Sequence, residues 1–315
     1  MVRLVVDGMN VVGPIAVPGL PTSGLRGPCW RLALERGDPT DALDDVVWTG
    51  DVRSRLGRWA RMGRCGAERV VLIEGVAALR ARPRDGTAVL RHDGGRRRDV
   101  AVLRRLAPYL AALRGRLVLH AAAAVFPAGA VLFCGEARAG KSTLALALDR
   151  SGVPVLGDDH VAVEVFARGV PRACASFPFV DADGPSRRVV GRLAGVRRPG
   201  KESVPLRTAR PRGSVPIVAV AFVHRGRRVA LKPLRPAAAI ARLLSEAVFF
   251  PDPADRKGPP RFLDACLRLL ESAPPVELTV PSGLRRLSST VEEVTDLWRC
   301  RNARTAHELM NPGSA

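Results

Sequence analysis

A chain of 315 residues, 47% hydrophobic and 25% charged, carries enough apolar side chain for one large core or two modest ones, which excludes disorder as its main state. With 4% aromatics it lacks the platform on which single-stranded bases stack, and no apolar run reaches the roughly 18 residues of a membrane span. The formal charge of +20 invites a polyanionic partner. Yet lysine stands only at Lys141, Lys201, Lys232 and Lys257, and the remaining cations are dispersed arginines, a skew that a GC-rich gene explains equally well.

The opening MVRLVVDGMNVVG sets Asp7 inside a short apolar stretch and lacks the layout of a signal peptide. Six scattered cysteines (Cys29, Cys65, Cys134, Cys174, Cys266, Cys300) form no CxxC pair, the pattern of reduced thiols in a cytoplasm. Residues 1–116 read as a smaller α+β lead-in. Strand-like runs stand at 3–6 and 69–73, and 51–62 is expected as a helix. Arg96-Arg97-Arg98, behind two glycines, reads as a solvated loop. Residues 99–114 put Leu103, Leu106, Leu110 and Leu113 on one helical face, with Asp99 as a cap and Pro108 as a kink.

From 117 the character changes. Apolar runs at 117–126 and 130–134 are split by Pro127-Ala128-Gly129, a hairpin-like pair of strands. Residues 141–150 read as a helix buried along Leu144 and Leu148. Short strands at 153–156 and 160–166 flank Gly157-Asp158-Asp159. Residues 167–214, rich in Gly, Pro and Arg, read as loops with short strands. A buried strand at 217–223, helices at 236–248 and 262–271 and a strand at 276–280 follow. Ser289-Thr290-Val291-Glu292 has the form of a capping box opening a last helix through Trp298, and the tail from 301 is expected to fray. The alternation predicts an α/β fold with a mixed sheet, divided into 1–116, 117–285 and a C-terminal helix and tail over 286–315.

The chemistry concentrates at Gly135-Glu136-Ala137-Arg138-Ala139-Gly140-Lys141-Ser142, a G-x-x-x-x-G-K-[ST] pattern between an apolar strand and an amphipathic helix. Glycines let successive backbone N–H groups face a phosphate, and the following helix offers its positive end to the same anion. Lys141 adds a point charge for the β/γ-phosphates, the Ser142 hydroxyl can ligate Mg²⁺, and Thr143 extends the set. Asp158 and Asp159 at a strand end supply carboxylates for a metal and a base; the alternative is a Gly-Asp-Asp turn. His120 lies between apolar residues on a strand entering the same sheet, where a satisfied core histidine is the alternative.

Residues 117–166 resemble the catalytic core of HPr serine kinase/phosphorylase, and more closely the small HPr-kinase-like proteins encoded beside peptide-natural-product genes. In that family a histidine precedes the first loop glycine by fifteen positions, as His120 precedes Gly135. The Asp pair follows the loop lysine by seventeen and eighteen positions, as Asp158 and Asp159 follow Lys141. Phe177-Pro178-Phe179, residues 218–223 and Leu231-Lys232-Pro233-Leu234 extend the likeness loosely. The loop interior Glu136-Ala137-Arg138 departs from the usual Ser/Gly pair. After residue 190 the nearest candidate for the glycine-rich signature of the bifunctional enzymes is Pro199-Gly200-Lys201-Glu202, a poor match; Lys201 is a further candidate to approach phosphate or acceptor.

The resemblance implies a P-loop kinase of the HPr kinase/PEP carboxykinase-like type, with ATP and Mg²⁺ as cofactors. Asp158 takes the proton of an acceptor hydroxyl, Asp159 and Ser142 hold Mg²⁺, and His120 sits near the transferring phosphate and tunes Asp158. Lys141 and the amides of 135–143 hold ATP. The acceptor is a serine of a peptide or protein, a precursor peptide among the candidates, and homo-oligomers are permitted. A module that binds ATP without transfer is the competing reading. A third class, a nucleic-acid-processing protein, rests on the charge and on Val5-Val6-Asp7-Gly8-Met9-Asn10, which resembles the opening strand of NYN/PIN-type metal nucleases.

Overall fold

The computed structural model describes residues 1–20, 29–40, 43–52, 58–183, 196–198, 201–211, 213–247 and 258–299. The chain forms two compact units, one of Met1–Arg116 with Val248–Phe262 and one of Leu117–Ala247 with Leu263–Ala315. The fold is mixed α/β, and among the described residues no helix is long and apolar enough to cross a membrane.

The first unit is dominated by one sheet. Its strands are β1 (Val2–Val6), β2 (Met9–Gly13), β3 (Cys29–Arg36), β4 (Asp45–Val52), β5 (Arg58–Cys65), β6 (Glu68–Ile73), β7 (Ala77–Arg82) and β8 (Thr87–His92). They lie in the order β1-β2-β3-β8-β7-β6-β5-β4, with β3 parallel to both β2 and β8. The helix expected over 51–62 is instead the β4–β5 pair. Ala60 and Met62 point into the core on either side of Arg61, the period of a strand, and ladders to β4 and β6 satisfy the backbone on both edges. Asp7 and Gly8, at φ 52° and 68°, are the two-residue turn joining β1 to β2, which accounts for the Asp-Gly step in that hairpin.

Helix α1 (Asp99–Leu113) runs unbroken through Pro108 and buries Leu103, Leu106 and Leu110. Asp99 is its first residue rather than its cap; its carboxylate accepts from Arg36 at 2.9 Å and lies 3.2 Å from His92 Nε2. Arg96–Arg98 is a single turn of 3₁₀ helix rather than an open loop.

The second unit holds the remaining elements. Its strands are β9 (Leu117–Leu119), β10 (Ala122–Phe126), β11 (Gly129–Cys134), β12 (Val155–Gly157), β13 (Val161–Glu164), β14 (Arg172–Ala173), β15 (Phe179–Asp183), β16 (Val196–Arg198), β17 (Lys201–Pro205), β18 (Val215–Gly226), β19 (Ala230–Pro233) and β20 (Pro275–Pro281). Its helices are α2 (Lys141–Arg150), α3 (Pro236–Ser245), α4 (Gly258–Ser272) and α5 (Leu287–Arg299). Strand β18 is the spine: β11 and β20 flank it in parallel, and its first residues pair antiparallel with β14, which continues to β13 and β9. β15, β17 and β16 form a separate small sheet within 167–214.

One face of β10, β11, β18 and β20 is covered by α2 and α5. Ala122, Ala124, Ala219 and Ala221 keep that face flat, while Phe133, Leu144, Leu148, Val294 and Trp298 fill it. The run expected as one strand over 117–126 is two, broken at His120-Ala121, so that β9 joins β13 while β10 joins β11. The capping box is not used either. Ser289 and Thr290 lie inside α5 and donate to the carbonyl of Arg286 at 3.0 and 2.7 Å. The tail from 301 lies outside the described residues.

Candidate functional site

The G-x-x-x-x-G-K-S segment connects Cys134, the last residue of β11, to the first turn of α2. Gly135 sits at φ 133°, where a Cβ would stand 2.6 Å from the carbonyl oxygen of Val223. Gly140 caps α2 at φ 106°, and a Cβ there would stand 2.7 Å from the guanidinium of Arg225. Gly135 is therefore required by backbone sign and by space, and Gly140 by backbone sign. Between them the N–H of Ala139 donates to the carbonyl of Glu136 at 3.1 Å, and Arg138 holds φ 70°, a strained value for a side-chain-bearing residue. Glu136, Ala137 and Arg138 are exposed; Ser142 and Thr143 are half-buried in the first turn of α2, where backbone N–H groups lack intrahelical partners.

Lys141 is buried, and its ammonium donates to the carbonyl oxygens of Gly135 and, at 3.2 Å, of Glu136. Glu246 lines the same cleft as Gly135 and Glu136. Burial pushes the Glu246 carboxyl above the ordinary glutamate range and Glu136 adds to the rise, against the pull of Lys141, His120 and the Gly135 amide. The backbone carbonyl of Glu246 accepts the N–H of His120 at 2.6 Å, and Ala247 bridges Leu119. The segment that holds the strand break carrying His120 thus also lines the cleft beside the loop.

At that break the imidazole leaves the sheet. His120 Nδ1 lies 2.8 Å from the carbonyl oxygen of Asp159 and 3.6 Å from Asp159 Oδ1. A carbonyl only accepts, so Nδ1 carries the proton in that bond and Nε2 carries the lone pair. His160 Nδ1 lies 3.4 Å from Asp159 Oδ2, and its ring meets that of His120 edge-on at 6.1 Å. Asp159 holds φ 75° with its side chain 38% exposed. Asp158 is buried, and its Oδ2 accepts the N–H of Asp181 on β15 at 3.2 Å. The adjacent carboxylates therefore face different surroundings: the His120 ring lies against Asp159, and Asp158 Oδ2 faces β15.

A cleft of about 560 Å³ opens at the carboxyl ends of the parallel strands β11 and β18, the usual ligand position in open α/β sheets. The loop residues 135–139 form one wall, and Arg225, Arg242, Glu246 and Glu277 stand on the others. Arg242 is held by Glu277 at 2.9 Å, and His224 Nε2 pairs with the Thr279 hydroxyl at 2.8 Å. Cys134, at the foot of the loop, is buried and its thiol is pushed far up by that burial, which removes it as a nucleophile. Lys201 lies on β17.

Sequence reasoning missed three residues here. Arg225 carried a usable signal, since it follows a buried strand whose carboxyl end meets the loop. His160 sat beside the Asp pair. Glu246 carried none: a lone acid after a helix has no local mark, and only the fold brings it to the cleft.

The donors present fit a magnesium-bound nucleotide. Loop residues 135–139 line the cleft, and Asp159 and Ser142 are a carboxylate and a hydroxyl of the kind Mg²⁺ takes beside phosphate oxygens. Among the described residues no group of three or more His, Cys, Asp or Glu could hold a metal alone. No family model matches the chain, and no curated protein matches its sequence. Among solved structures it is similar to the HPr(Ser) kinase/phosphatase from Coxiella burnetii over 62% of this chain and 99% of that one, at 13% identity and a TM-score of 0.27. A likeness of that size carries no argument for fold or activity.

Proposed function

We propose that the second unit is a phosphotransferase of the P-loop kinase type that moves the γ-phosphate of ATP to a hydroxyl, such as a serine of a peptide or protein. One observation carries the reading. Glu246 lines the cleft beside the glycine loop and holds the His120 amide with its backbone carbonyl, so the glycine loop and the His120–Asp159 pair stand at one end of the sheet. In-line transfer needs that convergence of anion cradle, cation and proton acceptor.

The loop amides and the first turn of α2 receive the phosphates, and Lys141 turns from the loop carbonyls to the phosphate oxygens. Arg225, packed on Gly140, adds a second cation at the same place. Magnesium, when bound, neutralises charge on the phosphates, and Ser142 and Asp159 would hold it. The acceptor oxygen forms its bond to phosphorus as the bond from phosphorus to the bridging oxygen breaks, and that electron pair leaves with ADP. Asp158 takes the hydroxyl proton.

A second assignment of the base has its own support: the Nδ1–H bond to Asp159 leaves His120 Nε2 as an acceptor. The two are separated by incubating the full chain with labelled ATP, Mg²⁺ and serine-containing peptides and reading product by mass spectrometry. Asp158→Asn lowers transfer about 10²–10⁴-fold if Asp158 is the base, with nucleotide affinity little changed. Full transfer by Asp158→Asn with loss in His120→Gln moves the role to His120. Nucleotide binding without any phosphorylated product returns the chain to a binding module.

A further inference from the structure

We propose that Ser203 and Asp181 are positioning residues for transfer, fixing Asp158 in its place through β15. The inference rests on the transfer reading above with Asp158 as the base, and adds what holds that base still. β15 is an edge of the small sheet of β15, β17 and β16. The Leu206 N–H bonds the Pro178 carbonyl at 3.0 Å, so residues of that parity carry the bonds of the β15–β17 ladder. Asp181, paired with Ser203, has the other parity and points its N–H off the sheet edge. That N–H donates to Asp158 Oδ2 at 3.2 Å. Side chains approach most closely in a pair of this kind, and Ser203 Oγ donates to Asp181 Oδ1 at 2.7 Å.

The main chain that leads into Asp158 is held as well. The Ser176 N–H donates to the Leu156 carbonyl at 2.8 Å, and Arg210 donates to the carbonyls of Leu156 and Ser176 at 3.3 and 2.6 Å. A Cβ on Gly157 would stand 2.8 Å from the Ser176 Cβ, so the two segments pack without slack. Backbone bonds thus set where Asp158 starts, and β15 sets where its carboxylate ends. Asp181 is itself buried, so its carboxylate needs donors, and Ser203 is one of them. Val180, Ala182 and Val204 share a core with Leu144 and Leu148, which braces the Asp181–Ser203 pair against the helix that carries Lys141 and Ser142. Deleting the Ser203 hydroxyl leaves Asp181 with one donor fewer and lets β15 shift, and Asp158 with it. A displaced base loses the aligned approach that in-line transfer demands.

Steady-state turnover of Mg-ATP by the full chain, with water and with serine-containing peptides as acceptors, reads the effect. Ser203→Ala lowers kcat about 10-fold and leaves KM for Mg-ATP within about 2-fold. Ser203→Thr, which keeps a hydroxyl, restores most of the rate. In an Asp158→Asn background Ser203→Ala costs nothing further, because it acts through the base. Asp181→Ala cuts the same bond from its other end and gives the same loss, which keeps the test open should Ser203→Ala not fold. Ser214 donates to Glu164 at 2.7 Å in the same unit, and Ser214→Ala leaves kcat unchanged. An unchanged kcat in Ser203→Ala and Asp181→Ala, an equal loss in Ser214→Ala, or a full further loss in the Asp158→Asn background overturns the inference while the transfer reading stands. Full transfer by Asp158→Asn removes the base assignment, and this inference with it. A wild-type chain that turns over no ATP with either acceptor removes the transfer reading as well.

Discussion

One glycine of the second unit does work that no other residue can. Gly135 meets the Val223 carbonyl at 2.6 Å and holds φ 133°, so alanine there suffers both a collision and a disallowed backbone. Gly66 makes a control: it too has positive φ, 56°, but nothing lies within 4 Å of its would-be Cβ. Gly66→Ala should cost about 1 kcal/mol in urea unfolding, and Gly135→Ala about 2–4 kcal/mol together with loss of any nucleotide-induced rise in melting temperature. Equal costs at the two positions would show that the close approach of loop and strand is not rigid. At this scale the sequence was most legible, because the glycine spacing and the lysine are read locally. Glu246 was illegible for the opposite reason: its hydrogen-bond partner His120 lies more than a hundred residues upstream.

Among the elements, α5 shows how the strand and loop of the candidate site are backed. Val291, Val294 and Trp298 enter the core that also holds Phe133 and Leu148, and the Trp298 ring stands 6.3 Å from that of Phe126 on β10. Trp298→Ala should lower stability by about 3–5 kcal/mol by chemical denaturation, with Trp298→Phe recovering much of it. Helices α2, α3 and α5 and the hairpin of β10 and β11 were readable because their apolar spacing is long and regular. The β4–β5 pair was not. Arg58, Arg61 and Arg64 interrupt the apolar signal at intervals of three, which imitates a helix, and only pairing with β6 on one side and β4 on the other decides for a strand. The break at His120 escaped for a similar reason, since 117–126 is apolar throughout and nothing local separates one long strand from two that join different neighbours.

For the molecule as a whole, acid sensitivity follows from the first unit. His92 is fully buried beside Arg36, and burial first, then the guanidinium, lowers its proton affinity below the ordinary value of 6.5. The unfolded chain therefore binds a proton at His92 more readily than the folded one. Stability contributed by the neutral ring is complete above about pH 6.5 and declines as pH falls from there toward the depressed folded value. His92→Gln should flatten that decline when melting temperature is followed from pH 7.5 to 5; an unchanged slope would assign the acid loss to other groups. The mixed α/β class was legible from the alternation of short strands and helices. The eight-stranded sheet of the first unit was not, because its register depends on pairings such as β3 with β8, more than fifty residues apart.

Strand β18 has one consequence of its own. Its opening residues belong to the ladder that leads through β14 and β13 to β9 and so to the residue before His120, while its middle belongs to the ladder with β11 that ends at Gly135. A single stretch of main chain is thus common property of the imidazole's support and the glycine loop's support. Neither can slide by a register step without carrying the other, so the spacing between them is as stiff as one polypeptide backbone, and loops elsewhere in the unit are free to vary without disturbing it.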